Sequence, residues 1–158
     1  AIESAAEVAR LAKPVKGFGM LTPKMQAFLE TVQQRLNFMS HVPVLFVSAR
    51  EGFRIDQVLP TAMRVYEARY LRIPTSRLMD IVRESIMRHV PSRAGKRLKI
   101  YMASQVGVNP PTFVFHVNDP KLVHFTFQRF LENRIRDSYT FLGTPIRMIF
   151  RGREEDET

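Results

Sequence analysis

The sequence predicts a mixed α/β chain in two parts: the closing piece of a parallel α/β sheet, then an α+β unit of order α-β-β-α-β with a three-stranded sheet. Two observations predict it. The hydrophobic pattern changes from helical repeats around one continuous apolar run to residues alternating with period two. The charge changes at the same place. The 158 residues carry a formal net charge of +9, but residues 1–71 hold 9 Lys/Arg against 6 Asp/Glu, residues 72–153 hold 15 against 5, and residues 154–158 contribute −4.

In the first part, Ala1–Leu11 is Ala-rich and reads as a helix. Its acids Glu3 and Glu7 and the lack of a basic stretch do not make a signal peptide. The chain does not begin with Met, which fits a piece of a longer protein. Lys13–Leu21, with Pro14, Gly17 and Gly19, reads as a loop. Thr22-Pro23 is an N-cap followed by proline at the first helical position, and Met25, Leu29, Val32 and Leu36 repeat at helical spacing. Val44–Val47 is a short apolar run, expected as a strand buried on both faces. Ser48–Gly52 follows as a loop. Ile55, Val58, Leu59, Ala62, Val65 and Tyr66 mark a second helix, whose start Pro60 should delay or kink. The boundary falls near Leu71–Pro74.

In the second part, Thr75 or Ser76 is expected to cap a helix with Leu78, Ile81, Val82, Ser85 and Ile86 on one face, ended by Pro91. Ser92–Lys96 is a basic loop. Leu98, Ile100 and Met102 alternate with Lys99, Tyr101 and Ala103, and after a turn at Gly107–Pro111 so do Phe113, Phe115 and Val117. Together they predict an antiparallel pair. Asp119-Pro120 should cap a long helix with Val123, Phe127, Phe130, Leu131 and Ile135 inward. Gly143-Thr144-Pro145 breaks it, and Ile146, Met148 and Phe150 alternate in a last strand. Residues 154–158 form an acidic tail.

Composition excludes some chemistry. There is no cysteine, so disulfides and thiolate metal sites are out. No apolar run approaches the ~20 residues of a membrane helix. His41, His89, His116 and His124 lie in no metal-binding spacing. A basic block of this size points to a polyanion, nucleic acid before an anionic membrane.

Five segments, in order, carry a resemblance. They are Ile73-Pro74-Thr75-Ser76, Gly95 through Tyr101 (GKRLKIY), Asn109 through Val114 (NPPTFV), Phe127 through Arg136 (FQRFLENRIR), and Gly143-Thr144-Pro145-Ile146-Arg147. From about Val42 to Arg153 the chain resembles the C-terminal end of Der (EngA) GTPases. The resemblance implies the end of a GTPase domain over 1–72, a KH-like domain over 73–153 and the acidic tail. It implies cytoplasmic work on ribosomal RNA in maturation of the large (50S) subunit, with the full-length family's own GTPase domains as intramolecular partners and neither DNA nor membrane. It also implies that Ser48, Ala49 and Arg50 derive from a guanine-contacting loop, with the Ala49 amide meeting the guanine oxygen and Ser48 shaping the turn.

The residues themselves supply no hydrolytic machinery. No G-x-x-x-x-G-K-[S/T] cradle occurs, and Asn-Lys-x-Asp is absent. The chain is therefore expected to be inactive alone and to hold no cofactor, although the full-length family uses GTP and Mg²⁺. An active enzyme would need the missing motifs upstream. The RNA candidates are Lys99, Tyr101, Arg147 and Arg151 on an open sheet face, extended by Arg93, Lys96 and Arg97: cations for phosphates with an aromatic for a base. A solvated sheet face, or a basic face for an acidic protein, is the competing reading. Glu132 and Asp137 beside Arg129, Arg134 and Arg136 are expected to ion-pair along their helix. No G-x-x-G loop occurs, so the usual KH grip is missing and binding should follow the charge and shape of folded RNA.

Overall fold

The computed structural model describes residues 22–36, 41–89, 91–93 and 95–152. The expected helix at Ala1–Leu11, the loop at Lys13–Leu21 and the acidic tail lie outside these residues.

The first helix, α1 (Pro23–Arg35), starts as its sequence dictates: Pro23 needs no N–H at this position, and the Thr22 hydroxyl accepts from Met25 N at 3.3 Å. The run Val44–Val47 departs from expectation. It forms no strand ladder, its residues are half-buried at most, and the described backbone pairing nearby is an isolated bridge between Ser48 and Phe53. Among the described residues it has no neighbouring strand, so its apolar sequence cannot be expressed as a sheet. A 3₁₀ turn (Ile55–Gln57) leads into α2 (Val58–Ala68), where Pro60 sits in the first turn and breaks no helical bond.

The second part is built around three strands. α3 (Thr75–Arg88) buries Leu78, Ile81, Val82 and Ser85, and the Ser85 hydroxyl is satisfied by the Ile81 carbonyl at 2.7 Å. Its N-cap position is Pro74, with Thr75 inside the first turn, so no hydroxyl caps it. The expected basic loop is a small antiparallel hairpin, β1 (Ser92–Arg93) with β2 (Lys96–Arg97), turned at Gly95 in the left-handed region. β3 (Ile100–Val108) and β4 (Pro111–Val117) pair antiparallel around a cis Asn109–Pro110 turn, and β5 (Arg147–Arg151) pairs parallel with β4. The chain crosses from β4 to β5 through α4 (Phe125–Ser138), which buries Phe127, Leu131 and Ile135. Asp119 caps a separate 3₁₀ turn (Pro120–Leu122), accepting from Lys121 N at 2.9 Å, and not the long helix as expected.

One register shift changes the face assignment. The simple alternation puts Met102 in the core, but an irregularity lies between Ile100 and Met102, so Ala103 faces Phe115 with no exposure while Met102 is 49% exposed. Leu98 is buried ahead of the strand. The core lies between one sheet face and α3 and α4, with Phe113, Phe115, Phe127 and Phe141 fully enclosed. Phe115 stacks on Phe150 at 5.0 Å.

The two parts are sewn together. Ala68, Leu71 and Ile73 belong to the same core. Gln105 accepts from Ile73 N at 2.7 Å and donates to Leu71 O at 2.8 Å, so a side-chain amide does the work of a neighbouring strand for the connecting segment.

Candidate nucleic-acid interface

The sheet face away from the helices is exposed at its ends and buried at its centre, where Val114 is 4% exposed. Three rows cross it: Thr112 beside Arg147; Ser104, Val114 and Ile149; and Met102, His116 and Arg151. Pairing fixes these rows, because directly paired residues point to the same side. Arg147 and Arg151 are both exposed there, as expected. The expected single patch is corrected by the topology. β4 lies between β3 and β5, and β3 runs antiparallel to it. Lys99 and Tyr101 therefore stand at the Arg151 end, two inter-strand spacings or about 10 Å across from β5. Arg147 is four residues further along β5, about 13 Å away at ~3.3 Å per residue. Arg151 joins the β3 group; Arg147 occupies the opposite end.

Lys96 and Arg97 are exposed on the β1–β2 hairpin, which leads directly into Lys99. Arg93 pairs with Lys96 through its backbone; its side chain lies outside the described residues. Tyr101, at the register shift, is 47% exposed.

Asn118, which in the sequence reads only as turn chemistry, organises this end of the sheet. Its side-chain oxygen accepts from Lys99 N at 2.8 Å, its amide donates to Arg97 O at 3.0 Å, and its own N–H donates to Lys99 O at 3.1 Å. An asparagine placed immediately after a strand and nineteen residues past a lysine gives no local signal of this role. The effect is to fix the backbone carrying Arg97 and Lys99 against the end of β4, so two cations are held in place without using their side chains.

The ion pairs between described residues fall elsewhere. Arg134 reaches Glu84 on α3 at 3.2 Å and Asp137 at 3.3 Å; Arg136 binds Glu132 at 2.8 Å; Arg83 binds Asp80 at 3.4 Å. None of these pairs involves Lys96, Arg97, Lys99, Arg147 or Arg151. Arg136 is also half-buried and donates to the carbonyls of Thr140, Phe141 and Thr144 at 3.2, 3.3 and 3.0 Å. Burial lowers its affinity for its proton, while Glu132 acts the other way. Arg134 and Arg136 thus serve the fold, and Arg129 lies over the Phe125 ring at 5.7 Å.

Ser48, Ala49 and Arg50 stand on a tight loop. Ser48 and Phe53 exchange both backbone hydrogen bonds at 3.1 Å, and the Ser48 hydroxyl accepts from Glu51 N at 3.4 Å. Met25, Phe46 and Phe53 line a cleft of about 380 Å³ beside Ser48. Among the described residues no group of three or more His, Asp or Glu is placed to hold a metal ion, and no helix is long and apolar enough to cross a membrane.

Residues 72–151 match the family model described as the KH-domain-like C-terminal part of EngA bacterial GTPase enzymes. The proteins named GTPase Der from Moorella thermoacetica and Thermomicrobium roseum are 51% and 48% identical over 140 and 130 residues, covering 85% and 82% of this chain. The one from Halalkalibacterium halodurans is 46% identical over 132 residues, 83% of the chain. The chain spans only 32%, 28% and 30% of these relatives. The match covers both the stitched connection after α2 and the three-stranded unit that carries the basic end of the sheet, and the chain belongs to the Der (EngA) family, of which it contains the C-terminal KH-like domain.

Proposed function

We propose that this chain is the RNA-binding module of a Der-type GTPase, acting in the cytoplasm on ribosomal RNA of the large subunit. The observation that carries this is the separation of cations by use. Arg134 and Arg136 on α4 are tied to acids, whereas Lys96, Arg97, Lys99 and Arg151 are exposed, gather at one end of the sheet and enter none of the ion pairs described above. Cations so placed can exchange bound counterions for RNA phosphates, and that release drives binding. The aromatic side chains of β4 and β5 face the core, and Tyr101 on β3, 47% exposed, is the candidate for stacking on a base. A surface of this kind grips a folded backbone more than it reads a single-stranded sequence. The chain supplies no phosphate cradle, so GTP and Mg²⁺ belong to the longer protein's nucleotide sites, and the domains that hold them are its intramolecular partners.

The test is fluorescence anisotropy with a folded fragment of large-subunit RNA. Joint reversal of Lys99→Glu and Arg151→Glu is expected to weaken binding by about tenfold or more at moderate salt, with the melting temperature unchanged because both side chains are exposed. Arg147→Glu, at the far end, is expected to do less. Undiminished affinity in the double variant would overturn the assignment.

A further inference from the structure

The chain leaves the sheet at its basic end. The last residue of β5, Arg151, lies in one row with His116 and Met102, beside the start of β3. Gly152 then passes close against the turn that follows β4: a Cβ there would meet Pro120 Cδ at 3.3 Å. Just ahead of Pro120 stands Asn118, whose side chain holds Lys99 N and Arg97 O. The exit from β5 and the backbone bearing two of the clustered cations therefore share one corner. Arg153 comes next, and after it four consecutive acids, Glu154-Glu155-Asp156-Glu157.

Resting on the RNA-binding reading above, we propose that residues 154–157 are an internal competitor of RNA: in the free chain their carboxylates engage Lys96, Arg97, Lys99 and Arg151, and RNA binds by displacing them.

The reach is sufficient. Glu154 and Glu157 follow Arg151 by three and six residues, so at ~3.3–3.6 Å per residue they extend about 10 and 20 Å from it. Lys99 stands about 10 Å across the sheet from β5, two inter-strand spacings. Arg147 is a poorer target. It lies about 13 Å back along β5, so the chain would have to reverse on itself, for one cation in place of four.

The charges match. Four anions meet four exposed cations that enter none of the ion pairs described above. Each such pair is weak in water and screened by salt. Tethering supplies the effect, because a short link holds the acids near the cluster at an effective concentration on the order of millimolar. Contacts of this strength yield to folded RNA, which offers several phosphates at once and releases condensed counterions as it binds. The apparent affinity for RNA is reduced by the fraction of chains whose cluster is open. A lone anion lacks the array of charges needed to displace the segment, so the competition favours RNA over small anionic ligands.

The experiment uses the absence of cysteine, since Thr158→Cys gives a single attachment point for a nitroxide. Amide signals of the whole chain are compared by NMR with the label oxidised and reduced. Without RNA, the label is expected to broaden Lys96, Arg97 and Lys99 more than Thr112 and Arg147 at the opposite end. Joint Glu154→Gln, Glu155→Gln, Asp156→Asn and Glu157→Gln should remove that broadening, and so should addition of the folded RNA fragment to the acidic chain. Without the label, the same four substitutions are expected to tighten RNA binding by about three- to tenfold at moderate salt. Equal broadening with and without the acids would overturn the proposal, even if affinity rose, because acids that only repel RNA from a distance would do the same. Unchanged affinity in the neutralised chain would overturn it as well. If neither chain binds RNA, the RNA-binding reading fails and the competition fails with it. The label tells that case from a missing contact, since it reports the contact in the RNA-free chain.

Discussion

α1 and α2 carry the same kind of apolar stripe as α3 and α4, yet the two pairs end in opposite conditions. α1 buries no residue, Phe28 is 59% exposed and Leu59 on α2 is 71% exposed, whereas Leu78 on α3 and Leu131 on α4 are wholly enclosed. The difference lies in what the rest of the described chain offers them. α3 and α4 meet a three-stranded sheet; the extended run beside α1 and α2 has no sheet to join. Periodicity says which side of a helix is apolar, and only tertiary context says whether anything covers it.

Stability should divide along this line. The largest effect is expected for Phe115→Ala, which removes an enclosed ring stacked on Phe150 and should cost about 3–5 kcal/mol. Leu59→Ala should change stability by less than about 0.5 kcal/mol. Urea unfolding of the two variants measures both, and similar costs would mean that α2 is far better covered than its exposure indicates. At the seam between the regions, Gly143→Ala is expected to cost about 1–3 kcal/mol, from a left-handed backbone and a contact with Val65. Val65→Ala in the same chain should recover the steric share and leave the backbone share. Full additivity of the two losses would show that the seam is not packed as described.

The same contrast marks how much the sequence could tell. The order α-β-β-α-β was legible because period-two alternation and helical spacing are local properties. The inward face of β4 was legible too, since Phe113, Phe115 and Val117 keep strict register. Met102 was misplaced because a register shift is invisible to alternation. Val44–Val47 reads as a strand in sequence but forms none, because pairing depends on partners distant in sequence. For the candidate site, the cations were legible by charge alone. Their division into a group with Arg151 and an isolated Arg147 was not, since it depends on β4 lying between β3 and β5. The part played by Asn118 was hidden for the same reason: it acts on backbone nineteen residues away.

The central claim is that a compact cluster of cations at one end of the sheet meets RNA phosphates, and the salt dependence of affinity tests it most directly. Four contacts, from Lys96, Arg97, Lys99 and Arg151, should give log K against log salt a slope of about −3, at roughly 0.7 to 0.9 counterions released per contact. The Lys99→Glu, Arg151→Glu variant should flatten that slope by about 1.5 or more. A native slope near zero, or a slope the double variant leaves unchanged, would contradict the claim.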